Sequence, residues 1–121
     1  MPRQEVLLLD ISPDPSLISQ YIDYHSIGNV PKPILDSIKY PGSGVISMRI
    51  FHFSDRLAMI MDVEDDFSFE KKAASDGGNP EVEKWEKTME KFQREIKDPT
   101  GKQGGKWKRV ELCFDLSEHF K

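Results

Sequence analysis

Apolar residues in this chain form strand-length runs and helix-period segments in alternation. The first run covers residues 5–11 and consists mainly of Val, Leu and Ile. Two further runs, 45–53 and 57–64, are separated by the polar residues 54–56, a pattern that predicts a β-hairpin. Apolar residues at every second position of 110–116 predict a last strand.

The segments between these runs carry helix signals. A proline opens a predicted helix at 15–27, and Gly28 follows it. A short helix is expected at 34–38, and a third helical stretch at 65–74. Pro80 begins the fourth helix, which we expect to run to about Ile96. Its apolar residues recur at spacings of three and four, which is typical of an amphipathic helix: Val82, Trp85, Met89, Phe92 and Ile96.

The resulting element order is that of an α+β protein. A βαββαβ chain predicts a ferredoxin-like fold, with a four-stranded antiparallel sheet and the helices on one face. The predicted strands are apolar on both sides, although helices can cover only one face of so small a sheet. A second copy of the chain would cover the other face. We therefore expect a homodimer packed sheet to sheet, a dimeric α/β barrel.

Composition narrows the possible partners and location. The chain has 121 residues and a formal net charge of −4, which predicts one domain over 1–121 and argues against a nucleic-acid partner. The apolar run behind the N-terminus is too short for a signal peptide or a spanning helix, so no membrane partner is expected. Cys113, the single cysteine, suits a reducing compartment. These features predict a cytoplasmic protein.

Metal, cofactor and covalent chemistry are all disfavoured. The three histidines, His25, His52 and His119, each lack a second His or Cys at ligand spacing, so we expect no metal site. No Gly-x-Ser-x-Gly motif occurs, and Cys113 has no paired histidine to activate it. The glycines of 101–105 lack the strand and helix that flank a phosphate-binding loop. We therefore expect no cofactor.

The first predicted helix carries a candidate acid/base pair. Tyr21 and His25 are four residues apart, so their side chains lie on one helical face about a turn apart. This spacing is compatible with a partly buried histidine beside a packed tyrosine. The spacing favours this packed pair, and the alternative is an acid/base pair in a pocket, since histidine titrates nearest neutrality.

Three further residues are candidates for sugar binding. Trp85 occupies a core-periodic position, but its indole could also be the flat apolar platform on which a sugar packs. Glu86 points away from the apolar stripe of the helix. It is therefore either a solvated surface residue or a carboxylate that binds sugar hydroxyls. Arg49 lies within an apolar strand, where its charge requires a carboxylate or an oxygen-rich site.

Four blocks of the sequence together resemble the L-rhamnose mutarotase family, which includes members acting on L-fucose. They are the Tyr21-x-x-x-His25 motif, the proline-containing segment 30–35, the second hairpin strand 57–64 and the helical segment 82–89. The likeness extends from the first predicted strand to the last.

The resemblance implies a small dimeric enzyme without a cofactor that interconverts the α and β anomers of a 6-deoxy-L-sugar, L-rhamnose or L-fucose. It implies that His25 is the proton donor and that Tyr21 contacts the sugar, with Trp85 in the binding site. The chain departs from the family in two places. Glu86 stands where the family has a second Trp, and the family's strand tyrosine aligns near Met48 or Arg49. These departures affect the identity of the sugar more than the reaction.

Two other functions remain open from the sequence. Ferredoxin-like dimers also include small monooxygenases and heme-degrading enzymes, which use a helical histidine and aromatic residues. A non-catalytic relative would bind a sugar without accelerating anomer exchange.

Overall fold

The computed structural model describes residues 2–121, and an antiparallel sheet forms its centre. Three long strands build most of this sheet: β1 (Arg3–Ile11), β2 (Val45–Phe53) and β3 (Arg56–Val63). The strand β3 lies in the middle, between β1 and β2. Two short strands, β4 (Gln93–Arg94) and β5 (Lys108–Arg109), pair with the other edge of β1.

Four helices and one 3₁₀ helix accompany the sheet. They are α1 (Pro15–Tyr24), α2 (Lys32–Ile38), α3 (Phe69–Asp76), α4 (Pro80–Glu90) and the 3₁₀ helix Leu116–Phe120. The α+β class, with an antiparallel sheet and helices packed on one face, is the predicted one and is confirmed.

Side-chain caps explain where three of the helices begin. Asp14 precedes α1 and accepts a hydrogen bond from the Ser16 N–H at 2.8 Å. Ser68 and Asn79 accept in the same way at the first turns of α3 and α4. Each cap satisfies a backbone N–H that has no partner inside its helix. The start of α4 at Pro80 agrees with the sequence prediction.

The core lies between one face of the sheet and the helices. Leu9 and Ile11 of β1 and Leu57 of β3 pack there against Tyr21 of α1 and Met89 of α4. A second cluster continues along the same face, where Phe67 covers the far end of the strands. It consists of Leu7, Val45, Met61, Val63 and Phe67, and Trp107 packs against both clusters.

The fourth helix ends earlier than its periodicity predicts, at Glu90 instead of near Ile96. Phe92 is fully buried, and its N–H donates to the carbonyl of Met89 in a tight turn. The next two residues then pair with Asp10 and Ile11 as strand β4. Burial of Phe92 and pairing with β1 therefore override the helical signal of residues 91–96.

The predicted last strand, 110–116, is wrong. The strand in this region is β5, at 108–109, and the chain leaves the edge of β1 after Val110 donates its N–H to the carbonyl of Val6. Strands β4 and β5 share the last position of the sheet, which therefore has five strands instead of four. Alternation of apolar residues does not by itself supply a strand partner.

Two helix boundaries also differ from the prediction. The first helix ends at Tyr24 instead of residue 27, and His25 is its C-cap residue. Gly28 adopts a φ of 89° just beyond, a conformation that ends the helical path. The third helix is 69–76 instead of 65–74, because the cap residue Ser68 fixes its start.

The other face of the sheet carries no helix. Its residues Val6, Leu8 and Ile60 are half-buried, while Arg49, Phe51 and Phe53 are exposed. The side chain of Phe53 is 85% exposed and that of Phe51 49%. We call this surface, made of these six residues, the open face.

Phe92 holds the core between α1 and α4, and its truncation tests this role. Phe92→Ala removes a fully buried ring that contacts Tyr21 and Tyr24, and we expect it to lower the free energy of unfolding by about 3–5 kcal/mol. Ile27→Ala, at a fully exposed position, is the control and should change that energy by less than about 0.5 kcal/mol. Chemical denaturation of both variants measures the difference; equal midpoints would contradict the assignment.

Candidate active site

His25 lies at the C-terminal end of α1, half-buried beside α4. Its Nδ1 is 2.7 Å from the carbonyl oxygen of Tyr21. A carbonyl oxygen only accepts hydrogen bonds, so Nδ1 carries the proton and donates it. In the neutral imidazole, Nε2 is then the basic nitrogen, with its lone pair available to a ligand.

Aromatic rings surround this imidazole on two sides. The Tyr21 ring stacks on it with centroids 4.3 Å apart and planes 30° from parallel. The Trp85 ring of α4 meets it edge to face at 5.4 Å. Tyr24 extends the aromatic wall, at 6.4 Å from Trp85 and 5.6 Å from Phe92. Trp85 thus belongs to the margin of the core and to the surroundings of His25.

Burial sets the protonation state of the imidazole. It lowers the pKa of His25 below the ordinary value, and the hydrogen bond from Nδ1–H to the Tyr21 carbonyl opposes this shift only in part. The neutral form therefore dominates at pH 7, with Nε2 as a base.

The hydroxyl group of Tyr21 is kept in its protonated form. Burial raises the pKa of Tyr21 well above the ordinary value, and the negative charge of Glu86 raises it further. This hydroxyl makes no hydrogen bond with any other residue of 2–121. Within the described residues, the donor and the acceptor of this hydroxyl are therefore both unused, in a side chain that belongs to the core.

Glu86 lies one residue from Trp85 on α4, at the exposed rim of this region. The surrounding protein raises the pKa of the Glu86 carboxyl group through partial loss of water, while Lys106 lowers it. Glu86 lines a shallow cleft between the end of α3 and α4, with Asp76 and Gly77 on its other wall. Tyr21, His25 and Trp85 do not line this cleft, and Glu86 is linked to them by the effect of its charge on the pKa of Tyr21.

Asp76 is a polar residue of this cleft that the sequence did not single out. Its Oδ2 accepts from Lys72 at 2.7 Å, while its Oδ1 is buried and has no hydrogen-bond partner among the described residues. Lys106 was missed as well, although its charge acts on Glu86. Residues 76, 86 and 106 belong to separate segments, and no local spacing links them.

Arg49 is the one predicted site residue that the structure places elsewhere. It lies on β2 opposite Ile60, on the open face, whereas Tyr21, His25, Trp85 and Glu86 lie on the helical side. Its guanidinium group sits 5.4 Å from the centre of the Phe51 ring. Within one chain, the structure brings four of the five predicted residues together and leaves Arg49 on the opposite side of the sheet.

No group of three His, Cys, Asp or Glu side chains within residues 2–121 is arranged to hold a metal ion. In the same range, every helix is too short or too polar to span a bilayer.

The fold and these side chains define a small α+β protein with an aromatic-walled site containing one basic imidazole. A family model described as L-rhamnose mutarotase matches residues 5–116. A curated relative, the L-fucose mutarotase of Xanthomonas campestris pv. campestris, is 35% identical over 111 residues, covering 92% of this chain and 86% of that protein. The chain belongs to the L-rhamnose mutarotase family, and the resemblance drawn from its motifs is confirmed. With it, the expected enzyme class, an isomerase acting on sugar anomers, is confirmed.

Solved structures agree on the fold. An L-rhamnose mutarotase from Formosa agariphila superposes with a TM-score of 0.59 at 16% identity, covering 94% of this chain and 98% of that one. Tetracenomycin F2 cyclase from Streptomyces glaucescens, a type-II polyketide cyclase, gives 0.56 at 12% identity, with 94% and 96% coverage. At these identities the likeness shows a shared fold and nothing about substrate.

The lowered pKa of His25 can be tested directly. In the native protein, we expect the imidazole signals of His25 to titrate by NMR with a midpoint below about 6.5, the ordinary value for histidine. Trp85→Ala admits water beside the ring and should move the midpoint back toward that value. Lys84→Ala, an exposed neighbour on α4, is the control and should leave the midpoint in place. A native midpoint at or above 6.5 would contradict the burial argument.

Proposed function

We propose that this protein is a mutarotase that interconverts the α and β anomers of a 6-deoxy-L-sugar, L-fucose or L-rhamnose, with His25 as its general acid/base. The observation that carries this proposal is the free Nε2 of His25, held in an aromatic site of a chain that belongs to a mutarotase family. The proposed catalytic domain is the whole of 1–121, of which the family model spans 5–116.

Anomer exchange requires two proton transfers and no cofactor. The anomeric hydroxyl loses a proton while the bond between the anomeric carbon and the ring oxygen breaks, and the ring oxygen gains a proton. The open-chain aldehyde rotates, and the ring closes on the other face of the carbonyl by the reverse transfers. A positioned acid/base contributes ~10²–10⁴-fold to such a step.

In this proposal Nε2 of His25 takes the proton from the anomeric hydroxyl as the ring opens and delivers it to the ring oxygen. On closure it takes that proton back and gives it to the new anomeric oxygen. The fixed hydrogen bond from Nδ1–H to the Tyr21 carbonyl holds the imidazole in the tautomer that this role requires. Because burial keeps the pKa of His25 low, the base form is retained at pH 7. Acidification through that pKa protonates Nε2, and catalysis by the base falls.

Three other residues bind the sugar in this proposal. The ring of Tyr21 orients His25 by stacking on it, and its un-ionised hydroxyl binds a sugar hydroxyl. The flat face of Trp85 packs against the apolar side of the sugar ring. Glu86 accepts hydrogen bonds from sugar hydroxyls at the rim. Arg49 was predicted in the same role, but it lies on the open face, across the sheet from these three residues.

The choice between the two sugars follows from polar contacts. L-fucose and L-rhamnose differ in the configuration of ring hydroxyls, so a carboxylate at position 86 distinguishes them by which hydroxyl it reaches. The family model is described by L-rhamnose, and the relative at 35% identity is named for L-fucose. Both sugars therefore belong in the assay.

The open face supports a homodimer packed sheet to sheet. Exposed phenylalanines such as Phe53, at 85%, would be covered by the same surface of a second copy. We further propose a cytoplasmic location, which the free thiol of Cys113 supports.

The catalytic role of His25 predicts a large loss on truncation. His25→Ala should reduce the enzyme-dependent rate of anomer exchange by about 10²–10⁴-fold, measured by exchange NMR on L-fucose and L-rhamnose. His52→Ala is the control, since His52 is exposed on β2 and should leave the rate unchanged. Wild-type rates for His25→Ala would remove His25 from catalysis. Sugar binding without exchange by the native protein would identify a binding relative instead of an enzyme.

The proposed role of Glu86 predicts a change in binding. Glu86→Gln keeps the shape of the side chain but replaces charge-assisted hydrogen bonds with neutral ones, so KM for the better sugar should rise about tenfold with kcat nearly unchanged. Glu81→Gln makes the same substitution at an exposed position in the first turn of α4 and should alter neither constant. If Glu86→Gln lowers kcat alone, Glu86 acts in proton transfer and not in binding.

A further inference from the structure

The connection between β4 and β5, residues 95–107, is held together by a buried lysine. Lys108 is only 6% exposed, and its Nζ donates to Oε2 of Glu95 at 2.9 Å and to the carbonyl of Gln103 at 3.1 Å. It also donates to the carbonyl of Gly105. A buried ammonium group needs such partners, and here they join the first residue of the connection to its last third. We call residues 95–107 the β4–β5 loop.

The β4–β5 loop is further ordered by its own hydrogen bonds. Oδ1 of Asp98 accepts from the Thr100 N–H at 2.9 Å, and Oδ2 accepts from the Gln103 N–H at 3.0 Å. The side-chain amide of Gln103 donates to the carbonyl of Arg109 at 2.9 Å and accepts from its N–H at 2.8 Å. The loop is therefore fixed to β5 by polar contacts, although most of its residues are exposed.

These contacts fix the backbone of Lys106, which lies between two anchored residues. The preceding residue, Gly105, is bonded by Lys108, and the following residue, Trp107, packs against both core clusters. The side chain of Lys106 extends to α4, where its Nζ lies 3.7 Å from Oε1 of Glu90. The β4–β5 loop therefore delivers an ammonium group to the surface of α4.

The ammonium group of Lys106 has unused hydrogen-bonding capacity. A distance of 3.7 Å is longer than a hydrogen bond, so the contact with Glu90 is an ion pair alone. Nζ makes no hydrogen bond with any other residue of 2–121. Because an ammonium group has only donors, all of its N–H groups remain available to a ligand that carries oxygen atoms.

Glu86 supplies the complementary acceptor. Glu86 and Glu90 are four residues apart on α4 and therefore share one face of the helix. Partial loss of water raises the pKa of Glu86, and the charge of Lys106 is the strongest influence that lowers it. A carboxylate only accepts hydrogen bonds and an ammonium only donates them, whereas a sugar hydroxyl does both. The two groups together match one hydroxyl.

We propose that Lys106 is a further sugar-binding residue, which binds one ring hydroxyl as donor while Glu86 binds the same hydroxyl as acceptor. This inference rests on the proposed function and adds a determinant of specificity. L-fucose and L-rhamnose differ in the configuration of ring hydroxyls, so the sugar with a hydroxyl at this position satisfies both groups and the other does not. Lys108 is a positioning residue, which acts by holding the loop that carries Lys106.

Removal of the ammonium group tests this role. Lys106→Met keeps much of the side-chain length but no donor, so KM for the better sugar should rise about tenfold with kcat nearly unchanged, measured by exchange NMR. The preference between the two sugars in kcat/KM should shrink by a similar factor. Lys106→Arg keeps the charge and the donors and should stay within about threefold of the native KM. Lys102→Met makes the same substitution at an exposed position of the same loop and should leave KM unchanged.

A double variant tests whether both side chains bind one hydroxyl. If they do, adding Lys106→Met to Glu86→Gln should raise KM by less than about threefold beyond the single variant, because the shared contact is already weakened. Independent contacts would multiply to about a hundredfold and would overturn the shared-hydroxyl assignment.

The outcomes separate this inference from the proposed function. A native KM for Lys106→Met overturns the inference, and the proposed function stands as long as His25→Ala abolishes exchange. A loss of kcat together with a lower unfolding midpoint assigns Lys106 a structural role and overturns the inference as well. A native protein that neither binds nor exchanges either sugar overturns both.

Discussion

The packing of Phe92 against Tyr21 and Tyr24 is the contact on which the arrangement of this protein depends. The ring is fully buried and meets both tyrosines edge to face, at 5.7 and 5.6 Å. It joins the end of α4 to α1, and its carbonyl accepts from the Ser12 N–H at the end of β1. One aromatic residue thus links α1 and the end of α4 to the sheet.

The same packing produces the chemistry of the site. Burial that stabilises the fold also removes water from the imidazole of His25 and the phenol of Tyr21, which lowers the pKa of the first and raises that of the second. Both shifts favour uncharged groups at neutral pH, one a base and the other a hydrogen-bond donor. The burial that stabilises the core therefore also favours the neutral forms of both side chains.

The open face imposes a different constraint. One layer of helices covers only one side of a small sheet, so apolar residues on the other side, such as Phe51 and Phe53, are left in water in a single chain. The proposed homodimer, packed sheet to sheet, would bury them. Within one chain, the helices cover the face of the sheet beside His25 and leave the other face exposed to solvent.

The sequence by itself determined much of this protein. Apolar periodicity and the Pro and Gly residues located β1, the β2–β3 hairpin and the start of α4 at Pro80, because these signals act locally. The four-residue spacing placed Tyr21 and His25 on one face for the same reason. Tertiary structure alone decided that α4 ends before Phe92, that the chain then continues into β4, and that residues 110–116 leave the sheet.

Tertiary structure also brought Glu86, Asp76 and Lys106 close to one another. It placed Arg49 on the opposite side of the sheet from His25. These features depend on contacts between distant segments, and neither periodicity nor spacing encodes which segments will meet.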